Sequence, residues 1–147
     1  HVNGHLHFHL HPVVFGLLAA HAREWGIERF RLTREPWSIS RTIERGRWFY
    51  RTSHTLIFAA LARRAAPTLT RLGIRHTDAV FGLLADGRVD EAYLLRLLPR
   101  LPAGSIELYA HPSMDRFRHE FEALVSPRVR DAVEELGFER ARYLDLA

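Results

Sequence analysis

Five of the ten histidines stand within the first eleven residues, as His1, His5, His7, His9 and His11. Neutral imidazole is the commonest biological metal ligand and the usual acid–base group near neutral pH, so chemistry is expected here first. From His5 to His11 the histidines alternate with Leu6, Phe8 and Leu10. Successive side chains of a β-strand point to opposite faces. The pattern therefore predicts a strand with four imidazoles on one face and three apolar side chains packed against helices on the other. Spacing limits how many act together. At about 3.3 Å per residue, His5 and His11 would stand about 20 Å apart, whereas zinc–nitrogen bonds are about 2.0–2.1 Å. One ion could recruit one or two of the four, with its other ligands drawn from elsewhere in the fold.

Those side chains need elements to hold them. Pro12 suits a first helical turn and Gly26 a helix C-terminus, with Val13, Val14, Leu17, Leu18, His21 and Trp25 at helical spacing between them. A short strand is expected at Ile27 to Leu32, then a helix from about Ser53 to Leu72 that ends at Gly73, with Pro67 as a kink or break. Asp78 to Phe81 reads as a third strand. Asp90 caps a helix carrying Leu94, Leu95, Leu97 and Leu98, closed by Pro99 and Pro102. Ser105 to Tyr109 reads as a fourth strand. Helical spacing returns at Phe117, Phe121 and Leu124, Ser126-Pro127 opens another helix closing at Gly137, and Phe138 to Leu144 gives a last strand.

Strands alternating with helices imply parallel pairing through right-handed crossovers, hence an α/β sheet or barrel. Function in such folds gathers at the carboxyl ends of the strands. Three segments fall there: the histidine run leading into Pro12, Arg31 to Pro36, and Tyr109-Ala-His111-Pro112. His21, His54 and His119 fall within helices and are expected to be structural or surface residues.

Composition narrows the class. An apolar content of 47% over 147 residues is ordinary for a soluble globular chain, read as a single domain over residues 1–147. The absence of cysteine excludes disulfides and thiolate metal sites and fits a cytoplasmic origin. No stretch suits a signal peptide or a membrane span. The sequence starts without methionine and its strand pattern begins almost at once, so the chain is expected to be the C-terminal part of a longer protein. All basic residues are arginine, and the formal net charge is +4. Their scatter argues against a nucleic-acid surface. The exception is the stretch Arg41 to Arg51, where Arg45, Arg47, Trp48, Phe49 and Tyr50 interleave charge with rings. It fits a phosphate, sugar or membrane surface, or a solvated loop over a few buried rings.

An ordered set of motifs carries a resemblance. It comprises His1-Val-Asn-Gly-His5-Leu-His7-Phe-His9-Leu-His11-Pro12, Arg31 with Glu35-Pro36, Phe81-Gly82-Leu83, Leu94 to Gly104, Glu107-Leu-Tyr-Ala-His111-Pro112, and Gly137 to Leu146. Together they resemble the YdjC-like carbohydrate deacetylase family, which contains the chitooligosaccharide deacetylases, and most closely its hopanoid-biosynthesis branch. The resemblance implies a distorted, here partial, (β/α) barrel and a hydrolase that removes acetyl from N-acetylglucosamine units with a divalent metal, zinc or magnesium. The implied substrate is an N-acetylglucosaminyl hopanoid lipid, with contact at the inner membrane following from its tail. In the family an aspartate of an N-terminal Asp-Asp motif, a histidine of a Gly-x-His segment and the first histidine of the rich strand hold the metal. Only the last has a counterpart, His5.

By the same resemblance the carboxylate base lies in the Asp-Asp motif, which has no match in this sequence. His111, held by Pro112 at a strand end, is the candidate acid for the departing amine. His7, His9, Arg31 and Glu35 are candidates for binding substrate or supporting the site. Trp37, Trp48, Phe49 and Tyr50 would supply an apolar groove for a lipid tail, or core rings. Two other readings stand beside this one. A His-x-His metallohydrolase of the amidohydrolase kind would need a late aspartate, for which Asp145 is available. A non-catalytic scaffold would bind metal only adventitiously. Unpaired strand edges of a partial barrel also predict self-association into a homo-oligomer.

Overall fold

The computed structural model describes residues 1–146. Strand β1 (Ala79–Phe81) and strand β2 (Ile106–Leu108) pair in parallel, with Val80 opposite Glu107. Isolated parallel bridges join Val2 to Phe30 and Arg29 to Arg75, and the Val80 N–H donates to the Arg34 carbonyl at 3.0 Å. Four chain segments thus lie side by side in the order 1–3, 28–34, 75–81 and 105–109, all running the same way.

Helices link them. Helix α1 (Pro12–Ala20) joins the first two segments, and α2 (Trp37–Ile43) with the long α3 (Trp48–Leu72) joins the second to the third. Helix α4 (Glu91–Leu97) leads to β2, and α5 (Arg118–Val125) and α6 (Pro127–Glu135) follow it. This is mixed helix with a small parallel sheet, compatible with an α/β fold.

Local signals explain several ends. The Asp90 carboxylate accepts from the Tyr93 N–H at 2.7 Å and the Ser126 hydroxyl from the Val129 N–H at 3.4 Å, each satisfying a donor at a helix start. Gly73, at φ 69°, closes α3 in the left-handed conformation that glycine adopts without strain.

Two apolar clusters result. Leu10, Phe15, Phe30 and Leu32 pack beneath Ala62, Ala65 and Leu69 of α3. Phe81 packs with Tyr93, Leu94, Leu97 and Ala123 in the other.

Four expectations are corrected. The histidine run is no strand: His5–Leu10 forms a 3-10 turn in which Leu6 (φ 51°) and His7 (φ 57°) are left-handed. Extended, this segment would be an edge with a row of unpaired backbone groups; curled, His7 and His9 find partners on residues 31, 33 and 109. The expected strand at Ile27 to Leu32 pairs only at Arg29 and Phe30. The segment expected as a last strand from Phe138 holds a 3-10 turn, Tyr143–Asp145, tied through Arg142 and Asp145. Pro67 neither ends nor splits α3, which also starts earlier than expected, at Trp48.

Candidate functional site

A cleft of about 500 Å³ opens beyond the carboxyl ends of β1 and β2. His5, His7, Arg31, Asp86, Tyr109 and His111 reach into it, with Tyr50 and His54 along one wall. Separate pieces of chain supply these groups, as strand-end geometry demands. The histidine turn gives His5 and His7, the segment beside β1 gives Arg31, and the chain leaving β2 gives Tyr109 and His111. Asp86 comes from the turn after β1. A close approach allows this: Gly82 has φ 114°, and a Cβ there would run into the Tyr109 carbonyl.

The deepest imidazole is fully engaged. His7 Nδ1 lies 2.9 Å from the Thr33 hydroxyl and Nε2 lies 3.1 Å from the Tyr109 hydroxyl. Burial, with the neighbouring His9 and Arg31 adding to it, lowers its pKa from 6.5 to about 4. His7 is therefore neutral at physiological pH and holds its ring by two hydrogen bonds. Burial also raises the Tyr109 pKa, and the nearby Asp86 adds to the effect, so its hydroxyl stays protonated.

Arg31 is pinned. Its Nε and Nη2 both lie on Glu107 Oε1, at 2.7 and 2.5 Å, while the Tyr143 hydroxyl donates to the other oxygen. The guanidinium sits 5.1 Å from the centre of the Tyr109 ring. The ion pair is thus also a pedestal for one wall of the cleft.

His111 faces Asp86, with Nδ1 3.6 Å from Oδ1, and both side chains are accessible to solvent. The backbone beneath it is fixed by Glu120, fully buried, whose carboxylate accepts the His111 N–H at 2.5 Å and the Val89 N–H at 3.1 Å. An imidazole on a rigid strand end, next to a carboxylate that can orient it, can carry a proton to or from a bound group.

Not every candidate reaches the cleft. His9 is buried beneath it, with Nε2 2.8 Å from the Arg31 carbonyl, and burial lowers its pKa. Glu35 is buried too, accepting from the Ser40 hydroxyl at 2.5 Å and the Leu84 N–H at 3.0 Å. Burial raises its pKa against the opposing effect of these donors. Both brace the loops beside the cleft. Conversely, His54, expected to be structural or at the surface, lies on the cleft wall with Nδ1 2.8 Å from the Tyr50 carbonyl. Thr33 and Tyr109 fall in two of the segments expected at strand ends, though the sequence does not reveal their bonds to His7, and Asp86 lies outside all three segments.

A match to the YdjC-like protein family covers residues 1–135. The chain belongs to the YdjC-like family. It is also 34% identical over 122 residues to a protein of Mus musculus named carbohydrate deacetylase, covering 76% of this chain and 38% of the mouse protein. The chain spans less than two fifths of that relative's length. No solved structure matches it.

The divalent metal implied by the resemblance finds too few donors in this YdjC-like chain. Among the described residues no three histidine, aspartate or glutamate side chains are gathered as an ion would require. His7 spends both nitrogens on Thr33 and Tyr109. His5 offers one exposed imidazole at the cleft mouth. One donor does not make a catalytic metal site, and the described residues alone do not fit the group.

Proposed function

We propose that this chain forms part of a carbohydrate deacetylase that hydrolyses the acetamide of N-acetylglucosamine-containing conjugates. The observation that carries the reading is the convergence of His5, Asp86, Tyr109 and His111 on one cleft in a chain of this family. Amide hydrolysis leaves an amine that must take up a proton, and His111 beside Asp86 is suited to deliver it. Tyr109, kept protonated and held by His7, is a hydrogen-bond donor for the acyl oxygen or a sugar hydroxyl. Arg31, fixed on Glu107, sets the cleft wall against which a sugar ring would lie.

Metal dependence belongs to the proposal. A divalent ion, zinc or magnesium, would take His5 as one ligand and needs further donors that the described residues do not bring to it. The active species is accordingly a polypeptide of the mouse relative's length, folded as a deacetylase-type barrel to which this chain contributes its parallel segments. The finer substrate is an N-acetylglucosaminyl hopanoid lipid. The exposed Leu6, which lines the cleft, supports a lipid-linked sugar over a free oligosaccharide.

The alternative resting on Asp145 gains no support. That carboxylate is held by Arg142 in its own turn, at 2.9 Å, away from the cleft-lining residues.

Acetate release by the longer polypeptide tests the reading, with an N-acetylglucosaminyl lipid and a short chitooligosaccharide as substrates, before and after chelation. Metal-dependent release abolished by His5→Ala is the expected result, with the lipid preferred. No release from either substrate, with metal bound, overturns it.

A further inference from the structure

The acidic residues are segregated. No aspartate or glutamate occurs in residues 1–23 or 45–77, which include α1 and the whole of α3. These two stretches form one body, since Phe15 of α1 and Ala62, Ala65 and Leu69 of α3 share a core. Opposite that core, α3 turns outward Phe49, Leu56, Ala60 and Arg63, spaced as one stripe of a helix. Phe49 is 88% exposed and Leu56 66%. Helix α1 likewise exposes Val13 and Leu17, again opposite its buried Phe15.

Isolated exposed apolar residues are ordinary, but two packed helices that both turn apolar stripes outward are not. The charge beside them is of one sign. Arg45, Arg47, Arg63, Arg64 and Arg71 are exposed, and among the described residues none of them lies within 4.0 Å of a carboxylate. Trp48, 65% exposed, stands between Arg47 and Phe49. Tryptophan and arginine flanking an apolar strip match a bilayer interface, where rings sit at headgroup level and guanidinium groups meet anionic lipid. No helix among the described residues is long and apolar enough to cross a membrane, so contact would be along the surface.

We propose that the outer face of α1 and α3 is a docking surface for an anionic lipid bilayer. The His5–Leu10 turn packs against both helices and carries Leu6, which is exposed and lines the cleft, so a lipid-linked headgroup would be presented to the site from this side. The proposal does not depend on the deacetylase reading, and its test reads no activity.

Sedimentation of the 147-residue chain with vesicles of phosphatidylcholine, with and without phosphatidylglycerol, tests it. Binding to the anionic vesicles and about tenfold weaker binding to the neutral ones are expected from several arginines near a charged surface. Phe49→Ser with Leu56→Ser, and separately Arg63→Gln with Arg64→Gln, should each weaken binding to anionic vesicles about tenfold or more. Circular dichroism checks that these exposed changes leave the fold intact. Absence of wild-type binding to anionic vesicles overturns the proposal, as does binding unaffected by either pair. A dimer that the Phe49 and Leu56 changes dissociate, without wild-type vesicle binding, assigns the face to a second copy and overturns it too.

Discussion

The two halves of the chain solve the same packing problem with different surfaces. From Asp78 onward thirteen of the seventeen acidic residues appear, and several of them tie elements together. Asp90 caps α4, Glu91 binds Arg128 and Ser126, Glu120 ties two backbone N–H groups, and Glu122 pairs with Arg118. Before Asp78 the long α3 has no side-chain cap, begins at a left-handed Arg47 and carries no acid at all. The later half engages much of its charge in such bonds, and it reaches back to Arg31 and Glu44 of the earlier half for others. The earlier half leaves arginine and apolar side chains outward, which is how a surface that meets something else is built. The cleft lies where the halves touch, and takes His5, His7 and Arg31 from one and Asp86, Tyr109 and His111 from the other.

Phe81 is fully buried in β1. Phe81→Ala should lower unfolding free energy by about 3–5 kcal/mol, read from urea melts. Phe49→Ser on α3 should change it by less than about 0.5 kcal/mol, as for an exposed site. Equal losses would mean that the outer face of α3 is packed after all.

Acid sharpens the contrast next. His7 has its folded pKa lowered from 6.5 to about 4. Between those values the unfolded chain binds the proton and the folded chain does not, so stability falls as pH falls through this window. A loss on the order of 2 kcal/mol is expected between pH 7 and pH 4, allowing for partial solvent screening. His9 acts in the same direction. Glu35 acts oppositely, because its raised pKa lets the folded state take up the proton first. His7→Gln should flatten the acid loss in urea melts at both pH values. An unchanged slope would remove His7 as its source.

The smallest effect concerns helix ends. Asp90→Ala should cost about 1 kcal/mol through the lost bond to the Tyr93 N–H. Arg47→Gln, at the uncapped start of α3, should cost distinctly less, because its side chain caps no helical N–H. Thermal melts of the two variants decide this.

What could be read in advance was local. Asp90, Ser126-Pro127 and Gly73 mark helix ends through groups one turn away, and the structure keeps all three. Parallel pairing followed from the alternation of elements, and β1 with β2 shows it. The histidine run misled because alternation specifies a strand only if the strand has neighbours. Its actual turn is set by Thr33, Arg31 and Tyr109, distant in sequence. Asp86 was illegible for a similar reason, since only the approach of Gly82 to Tyr109 brings it beside His111. His5, His7, Arg31 and His111 do share a cleft, while His9 and Glu35 lie beneath or beside it.

If this cleft receives an amino sugar, histidine ring signals followed by NMR will respond as N-acetylglucosamine oligomers are added to the chain. His5, His7 and His111 should shift together with one saturation curve, while His21 and His119, outside the cleft, stay fixed. Shifts confined to His21 and His119, or none at saturating sugar, would contradict it.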